Sequence, residues 1–360
     1  MKTVKIDIPQ KQAQSYDIII KGGLIKDAQN YIKKATDAKK FLIVTNKTIL
    51  EKCGALELKN STTVTIGDGE EYKNIYTLKK ILDAAVEAKL ERKDCIIAYG
   101  GGVVGDIAGF AASSYMRGID FIQIPTTLLA QVDSSVGGKV AINHEHGKNL
   151  IGAFYQPKLV LADIDLLKTL DDRQFKTGLA EVLKYALIEK SCAHPLNFRL
   201  FDFLEKNINA IYEKKAETLS QLVEICCSLK AAVVQKDETE KGLRAILNLG
   251  HTFAHAIENL THYTVYTHGE AVAWGMQMAL NLSLSRRCIE REYYDRAMQL
   301  IKDYGITPEK TIFDKDDFIN EMYLDKKVES SKIRFVLPDG AYTVGIYSDI
   351  DPLTIKQSAL

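Results

Sequence analysis

The segment CIIAYGGGVVGD, residues 95–106, decides how the chain is read. A short run of β-forming residues ends in Gly100, Gly101 and Gly102, and the spacing GxGxxG is completed at Gly105 where a helical stretch opens. A strand that passes through glycines into a helix gathers unpaired backbone N–H groups at one point. It also lets them approach a pyrophosphate closely. The same glycines can instead serve backbone geometry alone. The fingerprint is displaced from its usual place, because it comes several strands into the chain and Asp120 begins, rather than ends, the next strand. The ribose contact must come from elsewhere.

Working outward, β-rich runs recur at KTVKIDI, YDIII, FLIVT, TTVTI, FIQIP and LVLA, with helix-like stretches between several of them. The clearest is YTLKKILDAAVEAKL, which sets Leu78, Ile81, Leu82 and Val86 at helical spacing. This alternation predicts an α/β, Rossmann-like dinucleotide-binding domain over residues 1–164. After LVLADIDLLKTL strand runs nearly vanish, and FKTGLAEVLKYALIEK, residues 219–235, HTFAHAIENL and EAVAWGMQMALNLSLSRR are helical by period. A second, mainly α-helical domain is therefore expected over 165–360, closed by a β-like tail, KIRFVLPDG and AYTVGIY, that packs onto it.

The chain carries 47 Lys plus Arg against 47 Asp plus Glu, so no bulk field gathers it onto nucleic acid or an anionic membrane. The opening MKTVKIDIPQ has no secretory apolar stretch, and no run approaches the roughly 20 apolar residues of a membrane span. The 6 cysteines include no CxxC and fit a reducing compartment, so a soluble, cytoplasmic protein is expected.

Chemistry-bearing residues collect at strand ends and in the helical half. The PTTLLAQVD segment brings Thr126, Thr127 and Asp133 to a second strand end, and GDGEEYKN brings Glu70 and Lys73 to another. In GHTFAHAIE, His251 and His255 stand four apart, on one face of a helix, and His268 opens another helix. This is a metal-ligating pattern whose acid remains open among Glu181, Glu258 and Glu270. Glu181 is notable because it interrupts the apolar GLAEVLKYAL, where a charge needs a cation or an ion pair. Lys139, Lys148 and Asn149 lie in SSVGGKVAINHEHGKNLIG, read as a polar loop. Lys184, Lys230, Arg244 and Asn248 fall in or beside apolar helical stripes. So many local cations in a balanced chain point to a small, multiply anionic substrate.

The segments GGGVVGDIAGFAASSYMRGI, IPTTLLAQVDSSVGGKVAIN, GKNLIGAFYQP, GLAEVLKYALI, LNLGHTFAHAIE and HGEAVAWGM resemble the 3-dehydroquinate synthase family, in order and over nearly the whole chain. The resemblance implies an N-terminal NAD-binding domain, a C-terminal helical domain that holds a divalent metal (zinc, with cobalt possible), and an active site in the cleft between them. It implies Glu181, His251 and His268 as metal ligands, with His255 handling substrate and protons. Lys139, Asn149, Asn248, His255 and a lysine of the turn containing Lys326 and Lys327 would surround a phosphate, joined by Arg117 from the partner chain of a homodimer. Lys184, Lys230 and Arg244 would face the carboxylate and hydroxyls. Asn46, Glu70, Lys73, Gly100, Gly101, Gly102, Asp106, Thr126, Thr127, Asp133 and Lys148 would line the dinucleotide. Asn46 departs from an expected aspartate and leaves the ribose without a charged acceptor at that position. Ala254, where glycine is frequent, adds one methyl group.

The implied reaction is conversion of 3-deoxy-arabino-heptulosonate 7-phosphate into 3-dehydroquinate and phosphate, by transient oxidation at C5, β-elimination, re-reduction and intramolecular aldol closure. A related cyclase acting on sedoheptulose 7-phosphate or glucose 6-phosphate, a metal-dependent polyol dehydrogenase and a non-enzymatic dinucleotide-binding regulator are the alternatives.

Overall fold

The computed structural model describes residues 15–192, 194, 199–309, 311–324, 328, 329 and 332–358. The KTVKIDI run and the turn with Lys326 and Lys327 lie outside the described residues. Strands β1 (Asp17–Lys21), β2 (Phe41–Asn46), β3 (Ser61–Ile66), β4 (Cys95–Gly100), β5 (Asp120–Pro125) and β8 (Leu159–Asp163) form one sheet in the order β1-β8-β5-β4-β2-β3. Every neighbour pair in it is parallel. Such a sheet must be covered on both faces, and the strand residues alternate accordingly. Leu42, Val44, Ile96 and Ala98 enter the apolar layer on one face, with residues of α3 (Ile75–Glu87) and α4 (Gly102–Ser114). Phe41, Ile43, Cys95, Ile97 and Tyr99 enter the other, with Ala28 and Ile32 of α1 (Ala28–Ala35) and Ile49 and Cys53 of α2 (Lys47–Cys53). This explains why the strands read as unbroken apolar runs.

From β2 the chain runs outward to β3, whereas from β4 it runs the opposite way through β5 to β8. The order in which the chain lays down strands therefore reverses between β2 and β4, and their carboxyl ends open a crevice there. Asn46 and Gly100 are the last residues of these two strands.

One expectation changes. The stretch read as a polar loop is an antiparallel hairpin, β6 (Lys139–His144) and β7 (Gly147–Phe154), with a bulge near Ile142. Its anchor is apolar: Val140 and Ile142 are buried in the layer over α4, and a Cβ on Gly109 of α4 would lie 2.4 Å from Val140. On β6, Lys139 and Asn143 point to the face opposite Val140 and Ile142, because strand side chains alternate.

The second half is helical: α5 (Asp172–Ile188), α6 (Leu200–Tyr212), α7 (Ala216–Lys236), α8 (His251–Leu260), α9 (His268–Ser285), α10 (Arg291–Asp303), α11 (Lys315–Leu324) and α12 (Pro352–Ser358). After the short pair β9 (Val328–Glu329) and β10 (Lys332–Ile333), the tail forms β11 (Phe335–Pro338) and β12 (Val344–Tyr347), paired antiparallel. Phe335 packs against Phe253 of α8, with tilted rings whose centroids are 5.4 Å apart, so the tail packs on the helices as expected. Among the described residues no helix is long and apolar enough to cross a membrane.

Helices α8 and α9 meet backbone to backbone. A Cβ on Gly275 would lie 2.2 Å from the carbonyl oxygen of Gly250, which itself needs φ +80 just before α8. Ala254, fully buried in this seam, fits its extra methyl. Because α8 and α9 also carry His251 and His268, their spacing sets the distance between two imidazoles. Gly275→Ala is expected to cost about 1–3 kcal/mol of stability through overpacking. A lowered urea midpoint, together with weaker retention of a divalent metal, would show the helices forced apart.

Candidate active site

The cleft lies at the carboxyl ends of the sheet and runs into the helical half, with two adjoining lobes of about 760 and 700 Å³. Asn46, Glu70, Lys73, Gly101, Gly102, Asp106, Thr126, Thr127 and Lys148 line the first lobe; Lys139, Lys184, Lys230, Arg244 and Asn248 line the second. Asp133, Asn149, His251, His255 and His268 line both. Arg117 is exposed, in a left-handed turn with Met116, and lines neither lobe of its own chain.

Three elements build the cluster at the junction. Glu181 on α5 is only 1 % exposed, and its Oε1 lies 3.5 Å from Nε2 of both His251 on α8 and His268 on α9. Each imidazole is held from behind: His251 Nδ1 lies 3.1 Å from the Leu249 carbonyl, and His268 Nδ1 lies 3.3 Å from Glu258 Oε1. Fixing Nδ1 in this way aims Nε2 at Glu181, the arrangement that second-shell groups impose on metal-binding histidines. One carboxylate and two imidazoles, with ligand atoms all within 4.8 Å of one another, suit a divalent cation with positions left for water or substrate. Of the other two acids left open by sequence, Glu258 backs His268, while Glu270 closes the capping box of α9 with Thr267 and takes two hydrogen bonds from Arg173. His255 stands beside His251, ring centroids 5.9 Å apart.

The i, i+3, i+4 spacing on α5 brings Lys184 and Tyr185 to the same place as Glu181. Lys184, 2 % exposed, pairs with Glu181 and lies 3.6 Å from Asp133 Oδ1. Asp133 comes from a π-helical turn, Ala130–Ser134, and also receives Tyr185 Oη at 2.5 Å and Lys230 Nζ at 2.9 Å. Burial raises the Asp133 carboxyl, but Lys230, Lys184 and Tyr185 outweigh it and hold it well below the carboxylate range. Burial likewise opposes ionisation of Glu181, and Lys184, His251 and His268 again reverse the balance. Burial and the neighbouring Lys184 push the Lys230 ammonium down to about 8, although Asp133 resists this. Asp133, expected to line the dinucleotide, thus also ties the two buried lysines together.

The first lobe is built largely from residues that follow strand ends. Gly101 and Gly102 have ordinary backbone angles and stand close to side chains: a Cβ on either would lie 3.2 Å from Thr127 Cγ2 or Ser134 Oγ, respectively, which would then have to give way slightly. Gly100 is required for space, since its Cβ would reach within 2.6 Å of Val104. The first turn of α4 therefore faces the cleft with bare N–H groups. Lys73 pairs with Asp106 and donates to Asn149 Oδ1 at 2.6 Å, joining the turn after β3 and helix α4 to the hairpin. Lys148 lies 3.7 Å from Glu258 Oε1 and 3.7 Å above the Tyr263 ring, which ties the hairpin to α8.

Asn46 leaves no deficit of charge at its strand end. Its Nδ2 donates to Asp68 Oδ1 at 3.1 Å, and Thr48 donates to Asp68 Oδ2 at 2.7 Å, so a carboxylate stands beside it. Asp68 lay unremarked in GDGEEYKN, since nothing in the local pattern joins it to residue 46. Glu240 was missed for the same reason; it pairs with Lys139 and accepts from Asn248 Nδ2 at 2.7 Å. Tyr185 had a usable signal in its four-residue spacing from Glu181.

Comparison with known proteins matches most of the chain. Family models described as 3-dehydroquinate synthase N-terminal and C-terminal match residues 63–177 and 178–328. A 3-dehydroquinate synthase of Pelotomaculum thermopropionicum is 46 % identical over 354 residues, covering 94 % of this chain and 91 % of that protein. Among solved structures, 2-deoxy-scyllo-inosose synthase complexed with carbaglucose-6-phosphate, NAD+ and Co2+ is 27 % identical, with TM-score 0.82 and 95 % of each chain covered. The fold is also that of 2-epi-5-epi-valiolone synthase from Streptomyces hygroscopicus subsp. jinggangensis, with NAD+ and Zn2+ bound, at TM-score 0.86, 24 % identity and 98 % of each chain covered.

If Glu181, His251 and His268 form one metal centre, His251→Ala and His268→Ala proteins should each lose most bound divalent metal on dialysis, measured by atomic absorption. NAD binding should persist in both. Full metal occupancy in either protein would remove that residue from the centre.

Proposed function

The chain belongs to the 3-dehydroquinate synthase family, and from that premise we propose how its cleft converts 3-deoxy-arabino-heptulosonate 7-phosphate into 3-dehydroquinate and phosphate. The observation that carries the reading is the cluster of Glu181, His251 and His268 where the two lobes join, with Lys139, Lys184, Lys230, Arg244 and Asn248 lining the second lobe and a glycine turn at strand ends lining the first. When bound, NAD supplies a reversible hydride acceptor and the divalent cation, zinc or cobalt, supplies Lewis-acid charge. The residues to hold them are the Gly100–Gly102 turn, Glu70, Lys73, Asp106, Thr126, Thr127 and Lys148 for the dinucleotide, and Glu181, His251 and His268 for the cation. The division of the chain near residue 165 is supported by the last sheet strand ending at Asp163.

Lys139, Asn149, Asn248 and His255 seat the phosphate, whose two charges suit an ammonium and amide donors. Arg244, 1 % exposed, suits the substrate carboxylate. Its guanidinium is fixed by the carbonyls of Glu238 and Gly137, the latter at 3.0 Å from Nη2, while Nε is buried without a hydrogen-bond acceptor. A donor left this way is costly unless a ligand accepts from it. Asp133 anchors Lys230, and Glu181 anchors Lys184, so both ammoniums keep fixed positions against substrate hydroxyls. Catalysis then comes from orientation and preset charge rather than from a separate base for each step.

Retention of Arg244 and Lys230 favours the keto acid over the non-acid sugar phosphates. With NAD and zinc supplied, the keto acid phosphate should release phosphate without net NADH, whereas sedoheptulose 7-phosphate and glucose 6-phosphate should release little. Arg244→Leu should lose about 2–5 kcal/mol of transition-state stabilisation in kcat/KM, with NAD affinity little changed. Accumulating NADH without phosphate release would favour a polyol dehydrogenase.

The active unit we propose is a homodimer in which Arg117 reaches the phosphate seat of the partner subunit. Its support is that Arg117 is exposed outside its own cleft. Mixing inactive Arg117→Ala and His268→Ala proteins, with exchange verified, should restore about a quarter of the parent activity per subunit, since half the dimers are mixed and each has one intact site. No recovery would place both residues in one chain's site, or Arg117 outside it.

A further inference from the structure

Two of the phosphate-seat donors already hold an anion that belongs to the chain. Glu240 Oε2 pairs with the Lys139 ammonium, and Glu240 Oε1 accepts from Asn248 Nδ2 at 2.7 Å. The two donors come from different elements, Lys139 from the β6–β7 hairpin and Asn248 from the turn before α8. The carboxylate therefore bridges them with two oxygens, much as one edge of a phosphate would. Glu240 also sits at φ +59, a left-handed conformation that a non-glycine residue seldom adopts without compensating contacts.

The segment around it is fixed separately. Asp237 accepts from the backbone N–H groups of Lys241, Gly242 and Arg244 at 2.7–3.0 Å, and Arg244 is gripped by two carbonyls. Rotation of the Glu240 side chain away from the seat thus leaves Arg244 in place. If it stayed, a phosphate dianion would meet a carboxylate at contact distance, and the two like charges would repel.

We propose that Glu240 is a built-in counter-anion of the phosphate seat: substrate phosphate displaces it, and it returns to help expel the inorganic phosphate released in turnover. This inference rests on the phosphate-seat reading above. The internal carboxylate acts as a competitor that no dilution removes. It raises the apparent Kd of every anion at the seat by the reciprocal of the fraction of time the seat is open, so a seat open one tenth of the time binds phosphate about tenfold less tightly than its donors allow.

The test is calorimetric titration of inorganic phosphate into protein loaded with NAD and zinc. Glu240→Gln should bind phosphate roughly tenfold more tightly than the parent, and phosphate should inhibit its turnover correspondingly more strongly. Glu240→Ala should do the same. Lys139→Ala should bind phosphate more weakly; no change there would overturn the seat itself, and the inference with it. Weaker or unchanged phosphate binding in both Glu240 variants, with Lys139→Ala still impaired, would overturn the counter-anion alone and make Glu240 a positioning residue. A crystal structure of the parent protein with phosphate gives a second measurement that needs no variant. Glu240 should have left Lys139, and a bound phosphate with Glu240 still bridging Lys139 and Asn248 would overturn the proposal.

Discussion

A carboxylate buried to 1 % exposure on an apolar helix is tolerable only if positive charge is brought to it, and Glu181 imposes that condition on everything around it. Lys184 answers from the next turn of α5, and the imidazoles of His251 and His268 arrive from α8 and α9. Those helices come close enough only because Gly250 and Gly275 let their backbones touch. The close helix packing and the polar cluster are therefore one design: the glycine seam sets the position of the histidines, and the histidines complete the environment of the acid.

The same logic of shared charge extends along the cleft. Asp133 serves Lys184, Lys230 and Tyr185; Lys73 serves Asp106 and Asn149; Glu258 serves His268 and Lys148. Each bridge joins groups from separate elements, so the cations are held against the cleft without collapsing onto one another. In a balanced chain the second lobe still gathers Lys139, Lys184, Lys230 and Arg244, fixed cations to which a small anion is the natural complement. Burial alone would discharge these groups, and only their mutual pairing keeps them ionised.

The β6–β7 hairpin connects the two halves chemically. Its apolar side is clamped over α4 by Val140 and Ile142, while Lys139, Lys148 and Asn149 extend over the cleft. A flexible loop with the same residues would deliver the same charges with a larger loss of conformational entropy on binding. The hairpin makes that ordering part of folding.

Much of this was legible in the sequence. Apolar runs ending in glycine or threonine marked the parallel strands and their ligand-bearing ends, and helical periodicity marked α3, α5, α7, α8 and α9, because those signals depend on neighbours within a few residues. The spacing of Glu181, Lys184 and Tyr185, or of His251 and His255, is likewise local. What sequence pattern could not supply was any pairing across the fold. The hairpin was hidden because its alternation is interrupted by a bulge and by polar residues that face the cleft. Asp68 beside Asn46, Glu240 between Lys139 and Asn248, and the division of labour among Glu181, Glu258 and Glu270 all join residues from separate elements. Family resemblance selected Glu181, but only the packing of α5, α8 and α9 gives the physical reason: electrostatic partnership depends on distance in space, which residue spacing encodes within one helix and loses between helices.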